Sequence, residues 1–436
     1  MIDARAIIAA SRFGLGPRPD QPPPADPEAW LLAQLGPPGP PPPVPGFDTP
    51  PSVLDGLTAW REDERNPPPP GTPYPRNRFQ DAERDGWAIQ RLTTDQPFRE
   101  RLVAFWANHL TVSRREGFVA VLGGPYLRDV IRPHVTGRFA DMLVASAKHP
   151  AMLIYLNGNA SIGPDSPWGK RSGRGLNENL GREILELHSL SPAGGYSQAD
   201  VTAFAMLLTG LSVETTRDPL GYLFRPSNHQ PGIKQVMGRD FGDGEAAIEE
   251  ALRWLANHPA THRHLATKLA RHFVADDPPP AAVAKLEGVL RDTQGDLGAV
   301  SRALVALPEA WSTPLSKLRD ADDYMTAAAR ALGAGPDMGR NLSNWCASLN
   351  QGMLYAPGPN GCPDRAEAWG QPEGALGRLD LLHGLTGRYS RVKPDETLDL
   401  VLGPLARDAT RTAIGRAGSA RDALTLLLGS PEFQRR

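Results

Sequence analysis

Proline sets the first boundary on what this chain can fold into. Nearly half of its 45 prolines fall between Pro17 and Pro75, with unbroken runs at Pro40–Pro43 and Pro67–Pro70. The proline ring fixes φ and removes an amide donor, so such runs exclude helix interiors and favour the polyproline conformation. Residues 17–52 and 64–80 therefore read as extended, broken by short helices near 27–35 and 52–63. The expectation is a region, 1–80, that lies as a strap over a main body. The alternative is a docking ligand for an aromatic-lined groove.

From about residue 81 apolar side chains recur at three- and four-residue steps, the helical period. It runs through 83–110 and returns in segments that include 138–147, 177–190, 198–211, 245–257, 259–274, 280–292 and 420–428. Strand signals are confined to Tyr222-Leu-Phe and Gln235-Val-Met, inside a connection over 212–243 that reads as one long irregular loop. The expected fold class is all-α: a compact multi-helix bundle over 81–436, with a proline-rich extended N-terminal segment. His149-Pro-Ala and His258-Pro-Ala each place proline where a helix begins, which explains both motifs without giving either histidine chemistry.

A formal net charge of −2 over 436 residues gives no basic field for nucleic acid or anionic lipid. No apolar run approaches the roughly 20 residues that span a bilayer. The N-terminal residues carry Asp3 and Arg5 and lack a signal-peptide core, so as written the chain is expected to be cytoplasmic. Cys346 and Cys362 are too few for a disulfide scaffold or a cysteine-built zinc site, and are expected to be reduced thiols.

The densest set of reactive side chains is Asn177-Glu-Asn-Leu-Gly-Arg-Glu-Ile-Leu-Glu-Leu-His188. On a helix Asn179, Arg182, Glu183 and Glu186 share one arc, opposite Leu180, Ile184 and Leu187. Such a face is either a site or a solvated ion-pair ladder of little energetic weight. A second candidate is His109 in Phe105-Trp-Ala-Asn-His-Leu. It projects near the middle of the arc formed by Leu102, Phe105, Trp106 and Leu110, with Asn108 at the edge. A histidine so placed must be hydrogen-bonded, ligated or used as an acid or base.

Arg12-Phe-Gly-Leu-Gly, Phe105-Trp-Ala-Asn-His, His149-Pro-Ala-Met-Leu-Ile-Tyr-Leu and the 177–188 motif occur in one order. They are followed by Gly194-Gly-Tyr-Ser-Gln-Ala-Asp-Val, Leu208-Thr-Gly, His258-Pro-Ala-Thr and Ser430-Pro-Glu-Phe-Gln-Arg-Arg. Together they resemble, nearly end to end, the bacterial family catalogued as domain of unknown function 1800. The resemblance implies weight on Asn108, His109, Asn177, Glu178, Asn179, Arg182, Glu183, Glu186 and His188. It also implies a His-Asp-x-Gly-x-Lys pattern in the long connection, where this chain has His229-Gln-Pro-Gly-Ile-Lys, with Gln230 in place of the acid. His262 and His264 fall outside the pattern and are expected at the surface. The family is often exported and often encoded beside an alkaline-phosphatase-like protein, which implies a partner or shared pathway.

Three readings of these residues follow. In the first, His109, Glu183, Glu186 and His188, with or without His229, hold a divalent metal such as zinc, iron or manganese, as helical bundles do with Glu and His, in a hydrolase or oxidoreductase. His188 then has to turn inward, because on an unbroken helix it lies about 160° from Glu186. In the second, Glu183, Glu186, Arg182 and His109 act without metal, the glutamates divided into acid and base, with Asn108, Asn177, Glu178 and Asn179 binding substrate. In the third, the cluster is a structural network in a binding or assembly protein without catalysis. The chain has no Gly-x-Ser-x-Gly elbow, phosphate-binding glycine loop or dinucleotide fingerprint.

Overall fold

A computed structural model of the chain describes residues 3–115, 117–352 and 354–436. Helix accounts for 58% of it, with two small two-stranded sheets, in one compact, mostly helical body. Short helices at Pro27–Ala33 and Val53–Arg65 interrupt the proline-rich region where expected, and helix Asn77–Thr93 begins a few residues earlier than its periodicity suggests. Local chemistry sets these ends. Asp26 caps the first through the Ala29 amide, and Ser52 and Asp55 form a reciprocal capping box on the second.

The extended segments are pinned to the body by polar contacts. The Gln34 side chain accepts from the Phe98 amide at 2.8 Å and Arg99 donates to the Gly36 carbonyl at 2.8 Å, while within the proline-rich region Arg76 lies against both Trp60 and Tyr74, 3.8 and 3.9 Å from the ring centres. Residues 4–13, by contrast, form a helix buried in the body, and Phe13 packs on Phe98, Phe273 and Trp311. Arg12 is fully buried and donates to the carbonyl of Ala310 at 2.7 Å and the Ser316 hydroxyl at 2.7 Å, while Arg436 donates back to the Arg12 carbonyl at 3.1 Å. Buried guanidinium groups thus join the two ends of the chain.

Pro97–His109 runs through the centre with ten of its thirteen residues buried. Its polar members are paired accordingly: Glu100 with Arg132 at 2.6 and 2.9 Å, Arg101 with Asp323 at 2.6 Å. Helix Pro259–Phe273 packs beside it and against Pro280–Asp292. His149 and His258 cap the helices that follow them, each Nδ1 accepting an amide two residues on, at 3.1 and 3.2 Å.

The 212–243 connection is more ordered than its sequence suggests. Leu211–Glu214 (β1) pairs antiparallel with Gly221–Phe224 (β2), and Lys234–Val236 (β3) with Arg239–Phe241 (β4). The second hairpin turns on Met237 and Gly238, both at positive φ, the geometry of a tight primed turn. Tyr222-Leu-Phe and Gln235-Val fall on β2 and β3 as their sequence suggests, whereas β1 and β4 carry too few alternations to be read from pattern. No helix among the described residues is long and apolar enough to cross a membrane.

Candidate functional site

The 177–188 stretch separates into a scaffold and an open edge. Asn177 Oδ1 accepts from the Asn179 amide at 2.9 Å, and Asn179 Nδ2 donates to the Leu156 carbonyl at 3.3 Å. Glu178 accepts from Arg182 at 2.9 Å, Gln198 Nε2 at 2.9 Å and the Thr202 hydroxyl at 2.5 Å, which ties this helix to Gln198–Leu208. These hydrogen bonds, with the Thr202 hydroxyl foremost, hold Glu178 below the usual carboxylate range. Glu183 and Glu186 are half-buried, without a hydrogen-bond partner among the described residues. Burial, then Glu186, pushes Glu183 up.

After Glu183 the helix changes character. Ile184–His188 is a π turn, closed by Ser189, whose hydroxyl donates to the Ile184 carbonyl at 2.6 Å. The wider turn inserts an extra residue per hydrogen bond and breaks the angular step that would keep His188 outside. His188 is consequently buried, its Nε2 without a partner among the described residues, and burial pushes it down to about 3.

His109 and His188 are brought together, ring centres 6.5 Å apart. His109 Nε2 donates to the His188 carbonyl at 3.1 Å, which fixes the tautomer and leaves Nδ1 as an acceptor. Lys268 Nζ donates to that Nδ1 at 3.0 Å. Burial first, then Lys268, His264 and His188, push His109 far down, so the imidazole is neutral.

The sequence reading does not single out Lys268. It lines a cavity of about 440 Å³ between helix Pro97–His109, helix Pro259–Phe273 and residues 320–323, 351–352 and 354–368. His109 and Asn108 line the same cavity; Glu183, Glu186, Arg182, His188 and His229 do not. Asn108 fastens one wall, its amide bonded to the Cys362 carbonyl at 2.9 Å and its Oδ1 to the Cys362 amide at 2.7 Å. Gly361 sits at φ +77, where a Cβ would come within 2.5 Å of the Asn108 carbonyl, so this wall requires glycine.

The rest of the lining is densely charged. His272 Nδ1 meets Asp364 at 3.2 Å, and its Nε2 is buried without a partner among the described residues. Asp364 also lies 3.3 Å from Lys317; although burial opposes it, His272 and Lys317 hold the carboxyl far down and ionised. Burial pushes His272 down, with Asp364 pulling the other way, and Nδ1 is the nitrogen that donates to the carboxylate. Asp322 is pushed up to about 6 by burial and by Asp320 and Asp323, against the pull of Arg91. Asp323 goes the other way despite burial, because Arg101, Arg319 and Arg436 surround it. Burial and Arg271 push Lys268 down to about 8, opposed by Asp364.

His229 lies elsewhere, under the hairpins. Its Nδ1 donates to the Thr209 carbonyl at 2.7 Å, and its Nε2 accepts from the Gly244 amide at 3.0 Å and Lys234 at 3.3 Å. Both ring nitrogens are engaged, which leaves no lone pair for a metal. Gln230 is bonded to Asp165 through both side-chain ends, its Oε1 to the Asp165 amide and its Nε2 to the carboxylate, each at 3.0 Å. An aspartate there has no donor for that carboxylate. No group of three or more His, Cys, Asp or Glu side chains among the described residues is arranged to hold a metal ion, so the donors expected to form a metal centre do not converge.

His262 and His264, expected at the surface, are not there. His262 is buried, and His264 is half-buried, donating to the Leu187 carbonyl at 3.2 Å with its ring 5.9 Å from His109. The signal for this wall was present in the sequence: His264, Lys268 and His272 recur at four-residue steps and share one helix face. Asp322 and Asp364 gave no such signal, because separate segments carry them to that face.

The fold and the cavity describe a helical protein with an open, charged pocket. A family model described as "Protein of unknown function (DUF1800)" matches residues 8–435, and the chain belongs to that family. Comparison with curated proteins and with solved structures returned no match.

Proposed function

We propose that the chain is an enzyme and that the cavity walled by His109, Lys268, His272 and Asp364 is its catalytic pocket, acting by proton transfer on a small polar substrate. One observation carries the reading: a half-buried lysine amine on the cavity wall is set against a neutral imidazole instead of a carboxylate, one helical turn from a histidine–aspartate pair. A half-buried amine with no carboxylate in ion-pair range adds little to stability, whereas perturbed groups of opposite type around a cleft are what acid–base catalysis requires. Asp322, titrating near neutrality on the same cavity, adds a carboxyl able to give or take a proton. No set of three or more metal-binding side chains is gathered among the described residues.

The non-catalytic reading keeps a narrower territory. The closed network of Glu178, Arg182, Gln198 and Thr202 supports a packing role for that part of the acidic face.

The test is turnover of hydrolase and lyase substrate panels by the wild-type chain and by His272→Asn and Lys268→Met. Loss of a general acid or base is expected to cost about a hundredfold or more in kcat. Both variants are expected to remain folded by circular dichroism. Turnover that survives in both variants refutes the assignment.

A further inference from the structure

The seven lysines of the chain keep very different company. Lys148 is paired with Glu245 and Glu249, Lys234 with Asp243, Lys317 with Asp276 and Asp364, and Lys393 with Glu396. Lys170 and Lys285 are exposed. Lys268 alone lines the cavity with no carboxylate in ion-pair range among the described residues, its hydrogen-bond partner being His109 Nδ1.

We propose that Lys268 is an amine nucleophile that condenses with the carbonyl of a small oxo acid held in this cavity. The inference rests on the cavity being the catalytic pocket. Three features of the geometry support it. His109 is locked with Nδ1 as an acceptor by its bond to the His188 carbonyl, so it takes one amine N–H and leaves the nitrogen lone pair free for attack. His272 lies one turn along the same helix, placed for proton exchange at the carbon next to the new bond. Arg271, also on the cavity wall and in no ion pair with a carboxylate among the described residues, suits the acid group of such a substrate.

The step balances without a co-reactant. The Lys268 nitrogen adds to the carbonyl carbon, and the C=O π pair moves to oxygen. A proton then passes from nitrogen to that oxygen, and the carbinolamine loses water as the C=N bond forms. The amine must be neutral to attack. The groups that face it are His109 and His188 from neighbouring elements, His264 and Arg271 from its own helix, and Asp364 from the opposite wall. The three imidazoles are uncharged, with His264 pushed down to about 4, chiefly by burial. With Lys268 near 8, about a tenth of it is free amine at pH 7, against roughly one part in a few thousand for an ordinary lysine.

The experiment is reductive trapping on the native full-length chain with glyoxylate and cyanoborohydride, followed by peptide mass mapping. The expected result is a single carboxymethyl group on Lys268, formed at least about tenfold faster than on Lys170 or Lys285. Its rate should rise through a midpoint near pH 8 and be slower with uncharged glycolaldehyde. The adduct should be missing in Lys268→Arg, with Lys268→Gln as a second variant should arginine not be accommodated. Labelling of Lys170 and Lys285 first, with Lys268 untouched until the chain is denatured, overturns the proposal. Should Lys268 be spared while His272→Asn still abolishes turnover, the covalent step falls and acid–base catalysis stands. If instead Lys268 is labelled and both variants turn over normally, the catalytic reading falls and only a reactive amine remains.

Discussion

Replacing Lys268 by methionine tests the electrostatics of the cavity without knowledge of any substrate. The side chain keeps its length and loses its charge. Folding moves the amine from an ordinary value of 10.5 to about 8. At about 1.4 kcal/mol per unit, holding it charged in the native state costs about 3 kcal/mol. The native value lies below the unfolded one, so the unfolded chain binds more protons between pH 8 and 10.5, and wild-type stability rises across that window. The cost is fully present below pH 8 and gone above about 10.5. Lys268→Met removes it but strands His109 Nδ1, a loss of about 1–2 kcal/mol. The variant is therefore expected to be more stable than wild type by about 1–2 kcal/mol at pH 7 and less stable by a similar amount at pH 10.5. Urea titrations followed by circular dichroism at pH 7.0, 8.5, 9.5 and 10.5 measure the difference. A difference that stays constant across the series means that the folded amine titrates like a free lysine, and refutes the reasoning.

Two further substitutions separate scaffold from site. Gly361→Ala forces a Cβ against the Asn108 carbonyl at positive φ, and is expected to cost about 1–3 kcal/mol in a urea titration, with a distorted cavity wall. Glu178→Ala removes three hydrogen bonds and is expected to lose about 1–2 kcal/mol, whereas Glu183→Gln, which breaks none, should stay within about 0.5 kcal/mol of wild type. Equal losses in the two variants, measured by the same titration, contradict the division of this helix into a bonded base and an open edge.

The sequence by itself determined the helical class, since a 3.6-residue apolar period is a local property that each helix must satisfy to bury one face. It determined where helices cannot run, because proline acts on its own φ and on the residue before it. It also placed His109 in the core, as the arc around Trp106 leaves that imidazole no other direction. Of the hairpins at 211–224 and 234–241, Tyr222-Leu-Phe and Gln235-Val were legible as strand, while their partner strands escaped because three or four residues do not make a period. The inward turn of His188 depended on a π turn, and the polar groups of the same stretch are spent on hydrogen bonds, Asn177 to the Asn179 amide, Asn179 to Leu156, and Glu178 to Gln198 and Thr202. Only the tertiary structure decided which charged groups meet. Asp364 comes from an irregular segment and Asp322 from a helix start, both far in sequence from Lys268 and His272. Burial around that meeting point, a property of the packed whole, sets their protonation.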